Sequence, residues 1–179
     1  YITSCLNQNY IVTHALNGQI GLDMATAETP DLIVTDVMMP VMDGLEMTAA
    51  LQSKEATNHI PIVMLTSKAM QEDRLDGITS GADVYLTKPF SKKELQLRIE
   101  MLISKRKKLQ AKYQNGTLSE AIISEEPITG KNDIFIRKVV SEIHKELDNG
   151  DFNSATLASK LALSDSQLYR KLKAITNRS

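Results

Sequence analysis

The chain has 179 residues, 24% of them charged, with 21 Lys and Arg against 22 Asp and Glu and a net charge of −1. That length holds one large domain or two small ones, each able to bury a core. The longest apolar stretches are strand-sized, far short of the roughly 20 residues that cross a bilayer, and Tyr1 opens no signal peptide; a cytoplasmic location without membrane contact by this segment is expected.

Cys5 has no second cysteine to pair with, and His14, His59 and His144 are too scattered to suggest a metal site, so all four read as core or surface filler. The first residue is not Met, and the chain is expected to be cut from a longer polypeptide. Charge is unevenly spread: residues 1–104 carry 7 basic against 13 acidic side chains, 105–130 carry 5 against 3, and 131–179 carry 9 against 6. An acidic front and a mildly basic back suggest two units with different partners.

In chain order, Tyr1–Asn9 reads as a helix tail. From Tyr10 to Lys88 short β-rich runs then alternate with helical patterns, the signature of a parallel sheet with crossover helices. The predicted strands are Tyr10–Ala15, Asp31–Thr35, Ile60–Thr66 and Val84–Thr87; the predicted helices are Gln19–Glu28, Leu45–Ser53 and Ala69–Ser80. Ser91-Lys92-Lys93-Glu94 is a capping box that opens a further helix through Leu95, Ile99, Leu102 and Ile103. Lys105-Arg106-Lys107-Lys108 extends it as a solvated basic end, better suited to the negative end of a helix dipole than to DNA phosphates.

Asn115–Asn132, with Gly116, Pro127 and Gly130, reads as a linker. After it only helices are expected. Ile134, Ile136, Val139, Val140, Ile143 and Leu147 recur at helical spacing before Asn149-Gly150. Ser154–Leu161 and Asp165–Ile175 are two short helices separated by Ala162-Leu163-Ser164, and Ser164 with Gln167 caps the second; so tight a step makes a helix-turn-helix.

Chemistry gathers at the strand exits. Asp36 closes an apolar run just before Val37-Met38-Met39-Pro40-Val41-Met42-Asp43-Gly44, where open parallel sheets bind ligands. Leu65-Thr66-Ser67-Lys68 ends the next run and Thr87-Lys88-Pro89-Phe90 the one after. An acid, a hydroxyl and an ammonium at three successive exits can meet around one phosphoryl group. With Met39-Pro40 and Asp43-Gly44, these motifs make residues 1–104 resemble the response-regulator receiver family.

That resemblance implies a flavodoxin-like doubly wound parallel sheet, followed here by a small all-α unit. It implies that Asp36 is the phosphoacceptor from a histidine kinase, Thr66 the hydroxyl that moves toward the new phosphoryl group, Lys88 the cation that pairs with it, and Tyr85 the aromatic switch. It also implies that Asp36 and the backbone carbonyl of Met38 bind Mg²⁺, and that the face from 69 to 105 pairs two receivers as a homodimer. The sequence departs from the family in one respect. Receivers begin with a strand ending in two acids that also bind Mg²⁺, and nothing before Tyr10 supplies them. The first strand is therefore expected to be missing from these residues, and residues 1–179 alone are expected neither to hold Mg²⁺ tightly nor to accept phosphate.

Leu157-Ala158-Ser159-Lys160-Leu161, Ser164 and Leu168-Tyr169-Arg170-Lys171-Leu172-Lys173 resemble the first helix-turn-helix of AraC-type transcription factors; the family's second motif is absent from the sequence. Periodicity assigns Leu157, Leu161, Leu163, Leu168, Leu172 and Ile175 to the core. The resemblance implies that Ser166, Tyr169 and Arg170 reach base edges, with Arg the usual reader of guanine; Lys171 and Lys173 are better placed as phosphate contacts.

The expected organisation is a receiver at 1–104, a basic helix end and linker at 105–132, and a helix-turn-helix at 133–179. It resembles the C-terminal part of hybrid two-component proteins, whose kinase lies in the same polypeptide, at times the cytoplasmic end of a membrane-anchored sensor. No ATP-binding motif occurs in these residues, so kinase activity is not expected of them. Two alternatives are a degenerate receiver that serves only to dimerise and, more remotely, a phosphohydrolase using Asp36 as nucleophile.

Overall fold

The computed structural model describes residues 2–67, 81–115 and 130–177. Among them the elements run α1 (Ile2–Leu6), α2 (Gly18–Glu28), β1 (Ile33–Asp36), α3 (Gly44–Ser53), β2 (Ile62–Ser67), β3 (Val84–Lys88), α4 (Lys92–Asn115), α5 (Lys131–Lys145), α6 (Ser154–Lys160) and α7 (Asp165–Thr176). The predicted helix Ala69–Ser80 and most of the predicted linker lie outside the described residues. The chain divides into two units, Tyr1–Lys105 and Arg106–Ser179.

In the first unit the three strands are parallel in the order β1-β2-β3. β2 is central because its Ile-Val-Met-Leu run can be buried on both faces. Val63 and Leu65 join Val84 and Leu86 of β3 against Cys5 and Leu6 of α1 and Leu95, Ile99 and Leu102 of α4. Ile62 points the other way, into a layer with Leu22 and Ala25 of α2 and Met47 and Leu51 of α3. Each such side chain contributes roughly 1.5–3 kcal/mol by leaving water. Helices on both faces of a parallel sheet make the doubly wound arrangement expected from the sequence.

Helix starts follow the capping chemistry. Asp43 accepts from the Leu45 and Glu46 amides while Glu46 accepts from the Asp43 amide, a reciprocal box that fixes the start of α3. Ser91 Oγ accepts from the Glu94 amide at 3.1 Å, as its sequence predicts.

Tyr10–Ala15 is the exception: it forms no strand. Tyr10 and Val12 pack partly on the core, but Ile11 is fully exposed. A β-rich run becomes a strand only when a neighbour pairs with its backbone groups. β1 is the sheet edge on that side, and the described residues place no ladder between it and Tyr10–Ala15.

Among the described residues the second unit is built from the last part of α4 with α5, α6 and α7. Its core holds Tyr113, Phe135, Ile136, Val139, Leu157, Ala158, Leu161, Leu168 and Ile175, with Leu109 and Leu172 packed against it. Asn153 with Thr156 caps α6 and Ser164 with Gln167 caps α7, the second as predicted. Between the two helices the chain turns through Ala162 at φ +56°, and the Leu163 amide bonds back to the Ala158 carbonyl at 2.9 Å.

Candidate functional site

The register brings the three strand exits together. Asp36 lies opposite Leu65, Thr66 opposite Thr87, and Ser67 opposite Lys88, so the acid and the lysine flank the end of β2 from either side. Their side chains meet across it: Lys88 Nζ is ion-paired with Asp36 Oδ2. Both groups are partly exposed, so the pair adds at most about 1 kcal/mol to stability. Its significance is geometric, for it sets a carboxylate and an ammonium side by side at the carboxyl edge of the sheet. The second oxygen of Asp36 accepts from the Met38 amide at 3.3 Å.

Thr66 is buried, and its hydroxyl donates to the Ser67 carbonyl at 3.2 Å rather than to the Asp36 carboxylate. Tyr85 alternates with the buried Val84 and Leu86 and stands 42% exposed on the outer side of β3.

The loop after Asp36 contains features that its turn-like sequence does not reveal. The Gly44 amide donates to the Val37 carbonyl at 3.0 Å, which draws the start of α3 against the end of β1. A Cβ on Gly44 would lie 2.0 Å from the Asp36 carbonyl oxygen, so only glycine allows this approach. Val41 has φ +70° in a three-residue turn closed by the Met42 amide on the Pro40 carbonyl at 2.8 Å, a strained setting for a β-branched residue. The Asp43-Gly44 pair was legible as a turn, but the close approach behind it was not.

Mg²⁺ demands about six hard oxygens in near-octahedral geometry, some of them water. The described residues contain no cluster of three or more His, Cys, Asp or Glu that could hold a metal. The site offers the Asp36 carboxylate, already paired with an ammonium, and the Met38 backbone oxygen. That donor set does not by itself fit a tightly held Mg²⁺.

In the second unit, Ser166, Tyr169 and Lys173 are exposed on α7, and Arg170 beside them is half-buried. Arg170 Nε donates to the Ser166 carbonyl at 3.1 Å, and Lys173 Nζ lies 5.7 Å from the centre of the Tyr169 ring. Lys171 corrects the sequence reading. It is 1% exposed, with its ammonium 4.0 Å from the centre of the Phe135 ring, and in this position it cannot touch a phosphate. The sequence carried a signal for this: Leu168, Lys171, Leu172 and Ile175 lie at i, i+3, i+4 and i+7, one helical stripe.

An acid and a lysine thus meet at the carboxyl edge of a doubly wound parallel sheet, with a buried threonine on the strand between them. The response regulator receiver domain matches residues 1–100, and the chain belongs to that family. Histidine kinase P4 of Formosa agariphila is 34% identical over 177 residues, 99% of this chain but 13% of that protein. The DNA-binding dual master transcriptional regulator RpaA of Synechocystis is 37% identical over 120 residues, 67% of this chain and 48% of RpaA. The chain thus spans no more than about half of these relatives. Among solved structures, the receiver domain of sensor histidine kinase PA1611 from Pseudomonas aeruginosa, described with magnesium coordinated in its active site cleft, is similar at 33% identity. Its TM-score is 0.53, covering 57% of this chain and 85% of that one. The sheet is therefore the flavodoxin-like one of receivers. Among the described residues no helix is long and apolar enough to cross a membrane.

Proposed function

We propose that Asp36 accepts a phosphoryl group from a histidine kinase and that the second unit turns this state into control of DNA binding. The observation that carries the proposal is the Asp36–Lys88 ion pair at the carboxyl edge of the sheet. An Asp36 carboxylate oxygen attacks the phosphorus of a phosphohistidine. The new O–P bond forms as the P–N bond breaks, and the electron pair returns to the imidazole nitrogen.

The product brings nearly two negative charges and three acceptor oxygens to the site. Lys88 is placed to exchange its carboxylate partner for them. Thr66 must give up its 3.2 Å bond to the Ser67 carbonyl to donate as well, and Tyr85 then turns inward from its exposed position. No acid pair that would complete a Mg²⁺ site stands before Tyr10 in these residues. Tyr10–Ala15 forms no strand and β1 closes the described sheet on one side, which supports the reading that the strand bearing such a pair is missing from these residues.

DNA contact falls to Ser166, Tyr169, Arg170 and Lys173, whose grouping on a doubly capped helix-turn-helix supports the assignment. The similarity to the Formosa protein also continues through this unit. A homodimer through the 69–105 face is supported by the exposure of Tyr85, Leu97 and Met101 on the part that is described.

The test is transfer of radiolabelled phosphate from a phosphorylated histidine kinase. A polypeptide carrying an upstream acid-bearing strand ahead of these residues is expected to give a hydroxylamine-sensitive label, lost in Asp36→Asn. Residues 1–179 alone are expected to label at least tenfold less. Label retained in Asp36→Asn refutes the acceptor assignment, and equal labelling of both lengths refutes the missing strand.

A further inference from the structure

The basic run Lys105-Arg106-Lys107-Lys108 is not uniform. Lys105, Lys107 and Lys108 are exposed, whereas Arg106 is half-buried. Arg106, Leu109, Gln110 and Tyr113 stand at i, i+3, i+4 and i+7, one face of α4. Leu109 and Tyr113 pack into the core of the second unit. The two polar members of the stripe converge on a single atom: Gln110 Nε2 donates to the Ala174 carbonyl at 2.8 Å and Arg106 Nε at 3.3 Å.

That carbonyl lies in the last turn of α7, where helix carbonyls lose their intrahelical partners. α7 closes through Asn177 at φ +54°, whose amide bonds the Lys173 carbonyl at 2.8 Å. Backbone closure thus serves Lys173, and Ala174 is served by α4. A carbonyl oxygen has two lone pairs, enough for both donors, and the guanidinium charge also suits the negative end of the α7 dipole. Below this cap, the Tyr113 hydroxyl donates to Asp133 in the first turn of α5, fastening the end of α4 to the next helix.

We infer that Arg106 and Gln110 are positioning residues for α7, so that the last turns of α4 form part of the DNA-contact machinery rather than a tether leading to it. The inference rests on the reading of α7 as the DNA-contact helix. Lys173 is adjacent to the capped carbonyl, and Arg170 lies one turn before it. Side chains that read bases must be held within about half an ångström by the shell behind them, and this cap is that shell at the C-terminal end of α7.

The test uses the full 179-residue chain with Gln110→Ala, Arg106→Met, the double variant, the rescue Arg106→Lys, and the exposed controls Lys107→Met and Lys108→Met. Two quantities are read: amide hydrogen exchange in the last turn of α7, and binding to a mixed-sequence 30-base-pair duplex across a salt series. Loss of one such bond is expected to speed exchange about fivefold, more in the double variant. Affinity should fall in parallel with no change in the salt slope, and Arg106→Lys should recover part of both. The controls should leave exchange unchanged and can alter binding only through the salt slope, as phosphate contacts do.

Unchanged α7 exchange in the double variant overturns the inference. So does altered exchange with undiminished affinity, which would reduce the cap to a structural contact. A wild-type chain that binds no duplex refutes the DNA reading of α7 instead, and the exchange measurement still decides whether α4 holds that helix.

Discussion

Gly44→Ala sets two effects of opposite sign against each other. Alanine is the better helix former by about 1 kcal/mol, and Gly44 is the first residue of α3, with no positive φ that would demand glycine. On propensity alone the substitution stabilises. The added Cβ, however, would stand 2.0 Å from the Asp36 carbonyl oxygen, 2.9 Å from its carbon and 3.2 Å from Thr35 Oγ1. A carbon–oxygen contact needs roughly 3.3 Å, so helix and strand must part by about 1 Å. The obstructing atoms are backbone at the end of β1, anchored by the ladder to β2 and by the Val37 amide on the Leu65 carbonyl at 3.0 Å. Overpacking costs about 1–3 kcal/mol, and a clash with anchored backbone belongs at the upper end. The net is a loss of about 2 kcal/mol, roughly a 10 °C fall in Tm for a domain of this size. Urea denaturation followed by hydrogen exchange in peptides from β1 and β2 isolates the first unit from the second. If Gly44→Ala proves as stable as the parent or more so, the close approach is not a constraint, and the explanation of why glycine follows Asp43 fails.

Three further outcomes are expected. Among the described residues Thr48 Oγ1 is buried without a hydrogen-bond partner, so the near-isosteric Thr48→Val should stabilise the first unit by about 1 kcal/mol in urea melts; a destabilised variant would mean that the hydroxyl is satisfied after all. Val41→Gly should relieve the positive φ of an exposed β-branched residue, a gain of about 1–2 kcal/mol reduced by about 0.4–1 kcal/mol of unfolded-chain entropy, and a measured loss would refute the strain. Burial, and then the bond to Asp133, hold the Tyr113 hydroxyl protonated above the usual tyrosine range. Its contribution to the stability of the second unit is complete below about pH 10 and declines as pH rises further, because the unfolded chain then ionises while the folded one does not, at up to about 1.4 kcal/mol per pH unit. Tyr113→Phe should flatten that alkaline slope in pH-dependent melts of the second unit, and an unchanged slope assigns it elsewhere.

Most of the first unit was legible because parallel strands buried on both faces leave unbroken apolar runs, and polar groups at their exits mark the edge where chemistry occurs. The ends of β1, β2 and β3 shifted by one or two residues, but Asp36 and Lys88 meet as their strand-end positions implied. Tyr10–Ala15 misled because β-propensity describes a residue's fit to a sheet, whereas a strand also requires a partner. No window of sequence around Ile11 contains that information.

The second unit shows a different limit of pattern reading. Lys171 and Arg106 were both assigned by charge, one to phosphate and one to a solvated helix end, yet both lie on the stripe that faces the core of this unit. Position on the stripe outranks residue type when the polar head has somewhere to go: Lys171 finds the face of Phe135, and Arg106 finds the carbonyl of Ala174. Counting in threes and fours from Leu168 or from Leu109 places each of them on the inward stripe by spacing alone. What no count supplies is the partner at the far end, since Phe135 and Ala174 are 36 and 68 residues away in sequence. Charge on a helix therefore counts toward a proposed nucleic-acid contact only after the inward stripe has been subtracted, and on α7 that subtraction leaves Arg170 and Lys173 as the basic side chains.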